Sequence, residues 1–115
     1  MTITIYHNPR CSKSRETLKL LDARGLKPRI VDYLKTPPTA AELKSILKTL
    51  GLKPDGLLRK SEPLYAELRL KERKLDEDAL IALMVENPIL IERPIVVAGG
   101  KAAIGRPPEK ILEIL

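Results

Sequence analysis

The chain has 115 residues, the size of one ordinary domain, and its 43% of hydrophobic residues can fill a core that must be aliphatic, since Phe and Trp are absent. With 21 Lys and Arg against 15 Asp and Glu, the net charge is +6, which favours an anionic partner such as a nucleic acid, a membrane surface or a small oxyanion.

The composition argues against several classes of protein. Three tyrosines are too few for base stacking, so we expect no nucleic-acid binding. No apolar run approaches the roughly 18 residues needed to cross a bilayer, and the chain opens on a strand pattern rather than a signal peptide. One cysteine and one histidine are too few for a dedicated metal centre, and a lone cysteine fits a reducing setting. We therefore expect a cytoplasmic protein with no metal and no membrane association.

The first third of the chain predicts a βαβ unit. Residues 2–6 alternate polar and apolar side chains, as in a strand. A helix is predicted from Ser14 to the capping Gly25, and a second, β-branched strand over residues 29–34. This order implies a right-handed crossover and a parallel strand pair.

The middle of the chain is predicted to be helical. Thr39 and Glu42 fit a capping box at the start of a helix that Gly51 ends. Residues 54–70 look helical but are interrupted by Pro63. A further amphipathic helix is predicted over residues 76–85, with Leu80, Leu83 and Met84 on one face.

The last part of the chain predicts a hairpin and a helix. Residues 95–98 form an apolar strand, the pair Gly99-Gly100 indicates a turn, and residues 101–104 return antiparallel. Pro107 and Pro108 begin a last helix that turns Ile111, Ile114 and Leu115 to the core. The whole order predicts an α/β, thioredoxin-like fold (βαβ…ββα) as a single domain over residues 1–115, with a helical insertion at about 39–87.

Cys11 is the candidate nucleophile. It follows a predicted strand and precedes a helix, so free backbone amides and the positive end of the helix dipole should face its sulfur. Arg10, Lys13 and Arg15 add positive charge, so we expect a lowered thiol pKa and an anion site at the same place. The alternative interpretation is a cysteine that merely packs.

Two familiar thiol chemistries do not fit the loop. Its sequence is C-x-x-S from Cys11 to Ser14, so no second cysteine can resolve an oxidised Cys11, and an external thiol must do so. Arg15 follows Cys11 by four residues instead of the five of a tyrosine-phosphatase loop.

Three arginines are candidates for binding an oxyanion, because a guanidinium donates two parallel hydrogen bonds in a fixed plane. Arg93 and Arg106 each precede a proline and are expected in extended loops, while Arg59 lies in a Leu-Leu-Arg-Lys stretch. In a thioredoxin-like fold, Arg93 could face Cys11. Ordinary surface arginines are the alternative.

A set of motifs runs in order along the chain: Tyr6-His7-Asn8-Pro9-x-Cys11-x-x-Ser14-Arg15, Leu58-Arg59-Lys60, Asn87-Pro88, Glu92-Arg93-Pro94-Ile95-Val96-Val97 and Gly105-Arg106-Pro107. Together they resemble the glutaredoxin-coupled arsenate reductase family, and the loop Asn-Pro-Arg-Cys-Ser-Lys-Ser-Arg resembles its short arsenate-reductase-like subgroup.

This resemblance implies the reduction of arsenate to arsenite. Cys11 would attack arsenate, and Arg59, Arg93 and Arg106 would bind the oxyanion. Glutathione would act as co-substrate and glutaredoxin would resolve the mixed disulfide, with no bound cofactor, in a protein that we expect to be a monomer.

The resemblance also implies supporting roles around the thiol. His7, Asn8, Ser14 and Arg15 would order the loop and tune the pKa of the thiol. Pro94 stands where this fold usually carries a cis-proline. For His7, a purely scaffolding role is the alternative.

Two other functions remain open at this stage. One keeps Cys11 in a glutathione-dependent thiol reductase that acts on another substrate. The other is a Spx-type redox regulator that binds a protein partner, although those regulators typically carry C-x-x-C where this chain has Ser14.

Overall fold

A four-stranded sheet organises the two ends of the chain. The computed structural model describes residues 2–115. Its strands are β1 (Ile3–His7), β2 (Arg29–Asp32), β3 (Ile95–Ala98) and β4 (Lys101–Ile104), in the order β2-β1-β3-β4. β1 pairs in parallel with β2 and antiparallel with β3, and β3 pairs antiparallel with β4. The predicted parallel pair and the predicted hairpin are both confirmed.

Five α-helices and three short 3₁₀ helices lie among residues 2–115. The α-helices are α1 (Ser12–Ala23), α2 (Ala40–Leu50), α3 (Pro54–Leu57), α4 (Pro63–Glu67) and α5 (Glu77–Glu86). The 3₁₀ helices are Leu70–Glu72, Pro88–Leu90 and Pro108–Ile114. Within this described range, no helix combines the length and the apolar character that a membrane span requires.

The chain divides into two compact units. The first runs up to Thr36 and resumes with Arg93–Leu115, so it contains the whole sheet, α1 and the last 3₁₀ helix. The second is Pro37–Glu92, which includes the helical insertion predicted at about 39–87. That residues 1–115 form a single domain stays a prediction.

The core of the first unit follows from strand alternation. Ile3, Ile5 and His7 are buried, whereas Thr4 and Tyr6 between them are half-buried, as the period-2 pattern of β1 predicts. The two isoleucines pack with residues of α1, β3 and the last 3₁₀ helix: Leu21, Val96, Ala98 and Ile111. Ile114 and Leu115 pack partly buried against this cluster, on the predicted face.

In the second unit, the predicted start of α2 is confirmed, but the predicted buried face of α5 is wrong. The Thr39 hydroxyl accepts a 3.1 Å hydrogen bond from the Glu42 amide, and the Glu42 carboxylate accepts one of 3.1 Å from the Thr39 amide. Gly51 ends α2 in the left-handed conformation. In α5, however, the buried residues are Ile81 and Met84, three positions apart, and the predicted Leu80 and Leu83 are only half-buried.

Two predicted boundaries were wrong. α1 begins at Ser12 and not at Ser14, because Cys11 is its N-cap. β2 ends at Asp32 and not at residue 34, because the Asp32 carbonyl accepts turn hydrogen bonds from Lys35 and Thr36. The last helix, Pro108–Ile114, is 3₁₀ throughout.

Candidate active site

Three loops of the first unit meet at one end of the sheet, where their strands begin or finish. Tyr6 in β1 pairs with Ile95 in β3, and Ile95 pairs with Ile104 in β4. The end of β1, the start of β3 and the end of β4 therefore lie at the same end of the sheet. The loops attached there carry Cys11, Arg93 and Arg106, which lie far apart in sequence.

The loop between β1 and α1 is a closed turn. The Cys11 amide donates a 3.0 Å hydrogen bond to the Asn8 carbonyl, and the Asn8 Oδ1 accepts one of 3.0 Å from the Arg10 amide. Proline at the second position of such a turn presets its backbone, and asparagine at the first mimics it with its side chain. The sequence Asn8-Pro9 thus fixes where Cys11 begins the helix.

Two side chains from the first turn of α1 hold this loop. The buried Ser14 hydroxyl accepts a 3.2 Å hydrogen bond from the Asn8 amide. Arg15 Nη1 donates a 3.0 Å hydrogen bond to the Pro9 carbonyl. Asn8, Ser14 and Arg15 therefore make the contacts that a loop-supporting role requires.

The start of α1 carries unusually little negative charge. Helices commonly place Asp or Glu in their first turn, where these residues stabilise the positive end of the dipole, but α1 has none there. Its first turn instead carries Lys13 and Arg15, and Lys13 lies 3.6 Å from Glu16, one residue beyond that turn. The absence of an acidic residue in the first turn lowers the stability of α1. It also keeps the positive electrostatic potential at the helix N-terminus available to an anion at Cys11.

Backbone amides and an arginine favour the thiolate of Cys11. Burial raises the pKa of the Cys11 thiol, but the Ser14 amide, the Arg93 side chain and the Lys13 amide lower it, so the net pKa lies below its ordinary value. Cys11 is the N-cap residue of α1, but its thiol makes no regular N-cap hydrogen bond. The lowered pKa predicted from the sequence agrees with this arrangement.

Arg93 and Arg106 are both brought to Cys11. Arg106 Nη1 donates a long, 4.0 Å hydrogen bond to Cys11 Sγ, and the Arg93 side chain is nine-tenths buried. A half-buried sulfur with two guanidinium groups beside it forms a site for an anion next to a nucleophile.

The two arginines are linked through their neighbours in the chain. The Gly105 amide donates a 2.9 Å hydrogen bond to the carbonyl of Pro94, which is fully buried. The peptide bonds Arg93–Pro94 and Arg106–Pro107 are both cis, so Pro94 has the isomer typical of its position. Gly105 lies so close to Thr17 and Pro94 that a Cβ atom would meet Thr17 Oγ1 at 2.5 Å.

His7 ends β1 and is also more than nine-tenths buried. Burial lowers the pKa of its imidazole, the Asp32 carboxylate raises it and Arg15 lowers it, with a net value below the ordinary one. Its Nδ1 atom is buried and has no hydrogen-bond partner among residues 2–115. The groups that shift the Cys11 pKa do not include His7, so its proposed tuning role stays a prediction.

Arg59 belongs to the second unit, where two carboxylates hold it. Its Nη1 atom lies 2.8 Å from Glu92 Oε1, and its Nε atom lies 3.5 Å from Glu62 Oε2. Backbone hydrogen bonds from Arg59 to Leu90 and from Glu92 to Leu57, of 2.7 and 2.8 Å, join the two segments. Arg59 is thus fixed in its own unit, and its part in the Cys11 chemistry stays a prediction.

Several of these groups are not among the site residues predicted from the sequence. Glu62 and Thr17 were not singled out, and Glu92 and Gly105 were quoted only within motifs, without a role of their own. The glycine directly before Arg106-Pro107 could have indicated a close approach of the backbone. Across the described part of the chain, no group of three or more His, Cys, Asp or Glu side chains could hold a metal ion.

The fold and the site define a class: a thioredoxin-like α/β protein with a single cysteine at the N-terminus of its first helix. The ArsC family matches residues 6–114, and the chain belongs to this family. The recognition made from the motifs is therefore confirmed.

Three relatives show how close the similarity is. The Escherichia coli K12 protein named "Uncharacterized protein YfgD" is 59% identical over 98% of this chain and 96% of its own length. An arsenate reductase of Neisseria meningitidis serogroup A is 52% identical over 98% of this chain and 97% of its own. The solved structure of an arsenate reductase from Vibrio cholerae has a TM-score of 0.96 and 53% identity, over 100% of this chain and 98% of that one.

Proposed function

We propose that this protein reduces arsenate to arsenite, with Cys11 as the only nucleophile and with glutathione and glutaredoxin as electron donors. The observation that carries the proposal is the thiol itself: its pKa is lowered and Arg93 and Arg106 stand beside it. The relatives named arsenate reductase add independent support.

The first step forms a sulfur–arsenic bond. The Cys11 thiolate attacks the arsenic of arsenate and an As–OH bond breaks. The departing hydroxide takes a proton from solvent and leaves as water, so the arsenic remains As(V) in a thiol–arsenate ester. Arg93 and Arg106 neutralise the remaining oxyanion, and the first-turn amides of α1 donate to it. Such preorganised donors stabilise the charge that develops during attack.

The second step reduces the arsenic. A glutathione thiolate attacks Cys11 Sγ, the electron pair of the S–As bond moves to arsenic, and arsenite leaves as As(III). Cys11 and glutathione are then joined in a mixed disulfide. A glutaredoxin thiolate attacks the glutathione sulfur and releases the Cys11 thiolate, so two thiol electrons have reduced one arsenic.

The remaining roles follow the family pattern. In this proposal Arg59 is the third residue that binds the oxyanion, and its ion pair with Glu92 fixes the position of its side chain. Asn8, Ser14 and Arg15 keep the loop in place, and His7 supports its base. In this proposal the protein acts as a cytoplasmic monomer and carries no bound cofactor or metal.

A single-turnover experiment tests the step that is peculiar to this chemistry. Reduced protein is mixed with arsenate and glutathione without glutaredoxin, and the intact mass of the protein is followed. We expect Cys11 to gain one glutathione only when arsenate is present, and equal amounts of arsenite to appear. Phosphate, which is also a tetrahedral oxyanion but cannot be reduced here, serves as the matched control.

The same experiment separates the rival functions. For this purpose a parallel mixture contains oxidised glutathione in place of arsenate. Glutathionylation in that mixture, with none in the arsenate mixture, would indicate a thiol reductase for another substrate. No glutathionylation in a folded protein would contradict both enzymatic functions and favour a regulator.

A further inference from the structure

A groove opens on the α1 face of the sheet in the first unit. Residues Arg15, Leu18, Lys19 and Asp22 lie at positions i, i+3, i+4 and i+7 of α1, so they share one side of the helix. The groove lies between this side, the segment 26–28 and Ile30 of β2, and its volume is about 630 Å³. This size is ordinary for a small-molecule site, for which about 300–1,000 Å³ is typical.

The floor of the groove is apolar and partly open. Leu18, Leu26, Pro28 and Ile30 contribute to it, and Ile30 is 52% exposed, more than any other large hydrophobic side chain of the described residues. His7 also lines the groove, and its buried Nδ1 atom has no hydrogen-bond partner in the described part of the chain. A buried polar atom beside an apolar cleft is a feature that a polar ligand group can satisfy.

The rim carries a specific pattern of charge. Arg15, Lys19 and Lys27 are exposed cations, and Asp22 is the one carboxylate among the lining residues. Glutathione carries the complementary set: two carboxylates and one ammonium on a short peptide with aliphatic stems. A simple fatty acid or a dianionic oxyanion would leave Asp22 without a partner.

One end of the groove touches the loop that carries the thiol. Pro9 and Arg15 line the groove, and Arg15 Nη1 donates to the Pro9 carbonyl. Pro9 lies inside the turn that Cys11 closes with Asn8. A molecule in the groove is therefore next to the loop of the proposed nucleophile.

We propose that this groove between α1 and β2 binds glutathione, with Arg15, Lys19 and Lys27 holding its carboxylates and Asp22 its ammonium group. The inference rests on the proposed function only for its choice of co-substrate. It assigns to glutathione a site on this chain, separate from the oxyanion ligands Arg93 and Arg106.

Binding can be measured without arsenate. S-methylglutathione, which cannot form a disulfide, is titrated into ¹⁵N-labelled Cys11→Ser protein, and amide shifts are followed by NMR. We expect saturable shifts at Leu26, Lys27 and Ile30, and weaker binding at higher ionic strength. Lys27→Glu should raise the Kd by roughly two- to fivefold, as one exposed charge pair allows.

Matched controls exclude general effects of charge and hydrophobicity. Lys110→Glu makes the same charge change at an exposed position outside the groove lining and should leave the Kd unchanged. Ile30→Ser should weaken binding, and Leu112→Ser, at another exposed apolar residue, should not.

The failures of the two proposals are distinguishable. No shift in the groove, an unchanged Kd in Lys27→Glu, or shifts by octanoate but not by S-methylglutathione would each overturn the glutathione site. If S-methylglutathione binds as expected while wild-type protein forms no arsenite, the proposed arsenate reduction is contradicted and the proposed glutathione site is still supported.

Discussion

The amide of Gly105 donates a 2.9 Å hydrogen bond to the carbonyl of Pro94, and this bond joins the residues next to Arg106 and Arg93. The two arginines come from the end of β4 and the start of β3, whose pairing ends with Ile95 and Ile104. The hydrogen bond continues the hairpin past that last pair. The hydrogen bond thereby fixes the two backbone segments that carry Arg93 and Arg106 relative to each other.

Gly105→Ala is expected to damage the protein because there is no room for a methyl group. The added Cβ would lie 2.5 Å from Thr17 Oγ1 and 2.9 Å from Pro94 Cγ, so backbone must move. We expect a loss of about 1–3 kcal/mol in the free energy of unfolding, measured by urea denaturation, and reduced activity.

Two controls make this prediction specific. Gly56→Ala, whose Cβ would meet only Leu52 at 3.4 Å or more, should be tolerated. Thr17→Ala removes two of the three close atoms, so it should partly rescue Gly105→Ala. Purely additive effects of the two substitutions would contradict the proposed clash.

The Cys11 thiolate should form at a pH below that of an ordinary thiol. Its absorbance at 240 nm is expected to titrate with a midpoint below that of the same thiol in the denatured protein. Arg93→Gln should move the midpoint upward. Lys13→Gln should hardly move it, because Lys13 acts on the sulfur through its backbone amide, which the substitution keeps.

The same lowered pKa has a consequence for stability. A group whose pKa is lower in the folded state stabilises the fold above its unfolded pKa, and this contribution is lost as the pH falls through the folded pKa. The stability of wild type relative to Cys11→Ser should therefore rise with pH in this window. A difference that falls with rising pH would show that the folded thiol has a raised pKa.

The ion pair between Arg59 and Glu92 is expected to contribute measurably to stability. Their side chains are only 18% and 25% exposed and 2.8 Å apart, so water screens them less than a surface pair. A double-mutant cycle with Arg59→Ala and Glu92→Ala should give a coupling of about 1 kcal/mol.

The pair Lys60–Asp55 provides a control of nearly equal distance and greater exposure. Its separation is 2.9 Å, but the side chains are 52% and 68% exposed. The same cycle should give a coupling there that is smaller than for Arg59–Glu92. Equal couplings would show that burial does not strengthen the Arg59 pair.

His7 should remain neutral to a lower pH than a free histidine. It is the only histidine of the chain, so its imidazole gives one assignable NMR signal. We expect its midpoint below about 6.5. Asp32→Asn, which removes the carboxylate that raises this pKa, should lower the midpoint further, and Arg15→Gln should raise it.

Local signals in the sequence predicted local structure well. The capping box at Thr39, the left-handed Gly51 and the Gly99-Gly100 turn each depend on residues within four positions of one another. Their geometry is set by short-range hydrogen bonds and backbone conformation. For that reason the sequence alone located them correctly.

The features that failed or were missed depend on long-range packing. The buried face of α5 turned out to include Ile81, because neighbours in space decide which apolar side chains are covered. Glu92 lies 33 residues from Arg59, and Gly105 meets Thr17 from the far end of the chain. No periodicity or local motif encodes such pairs. The start of α1 was missed for another reason, since the Asn8-Pro9 turn signal was not applied there.

The most direct test of the account is arsenate-dependent oxidation of NADPH in the presence of glutathione, glutaredoxin and glutathione reductase. Wild-type protein should turn over, Cys11→Ser should not, and Arg93→Ala should lose about 10²–10³-fold, as expected when one charge-stabilising donor is removed. Folded wild-type protein that shows no NADPH oxidation above the rate without arsenate would contradict the account.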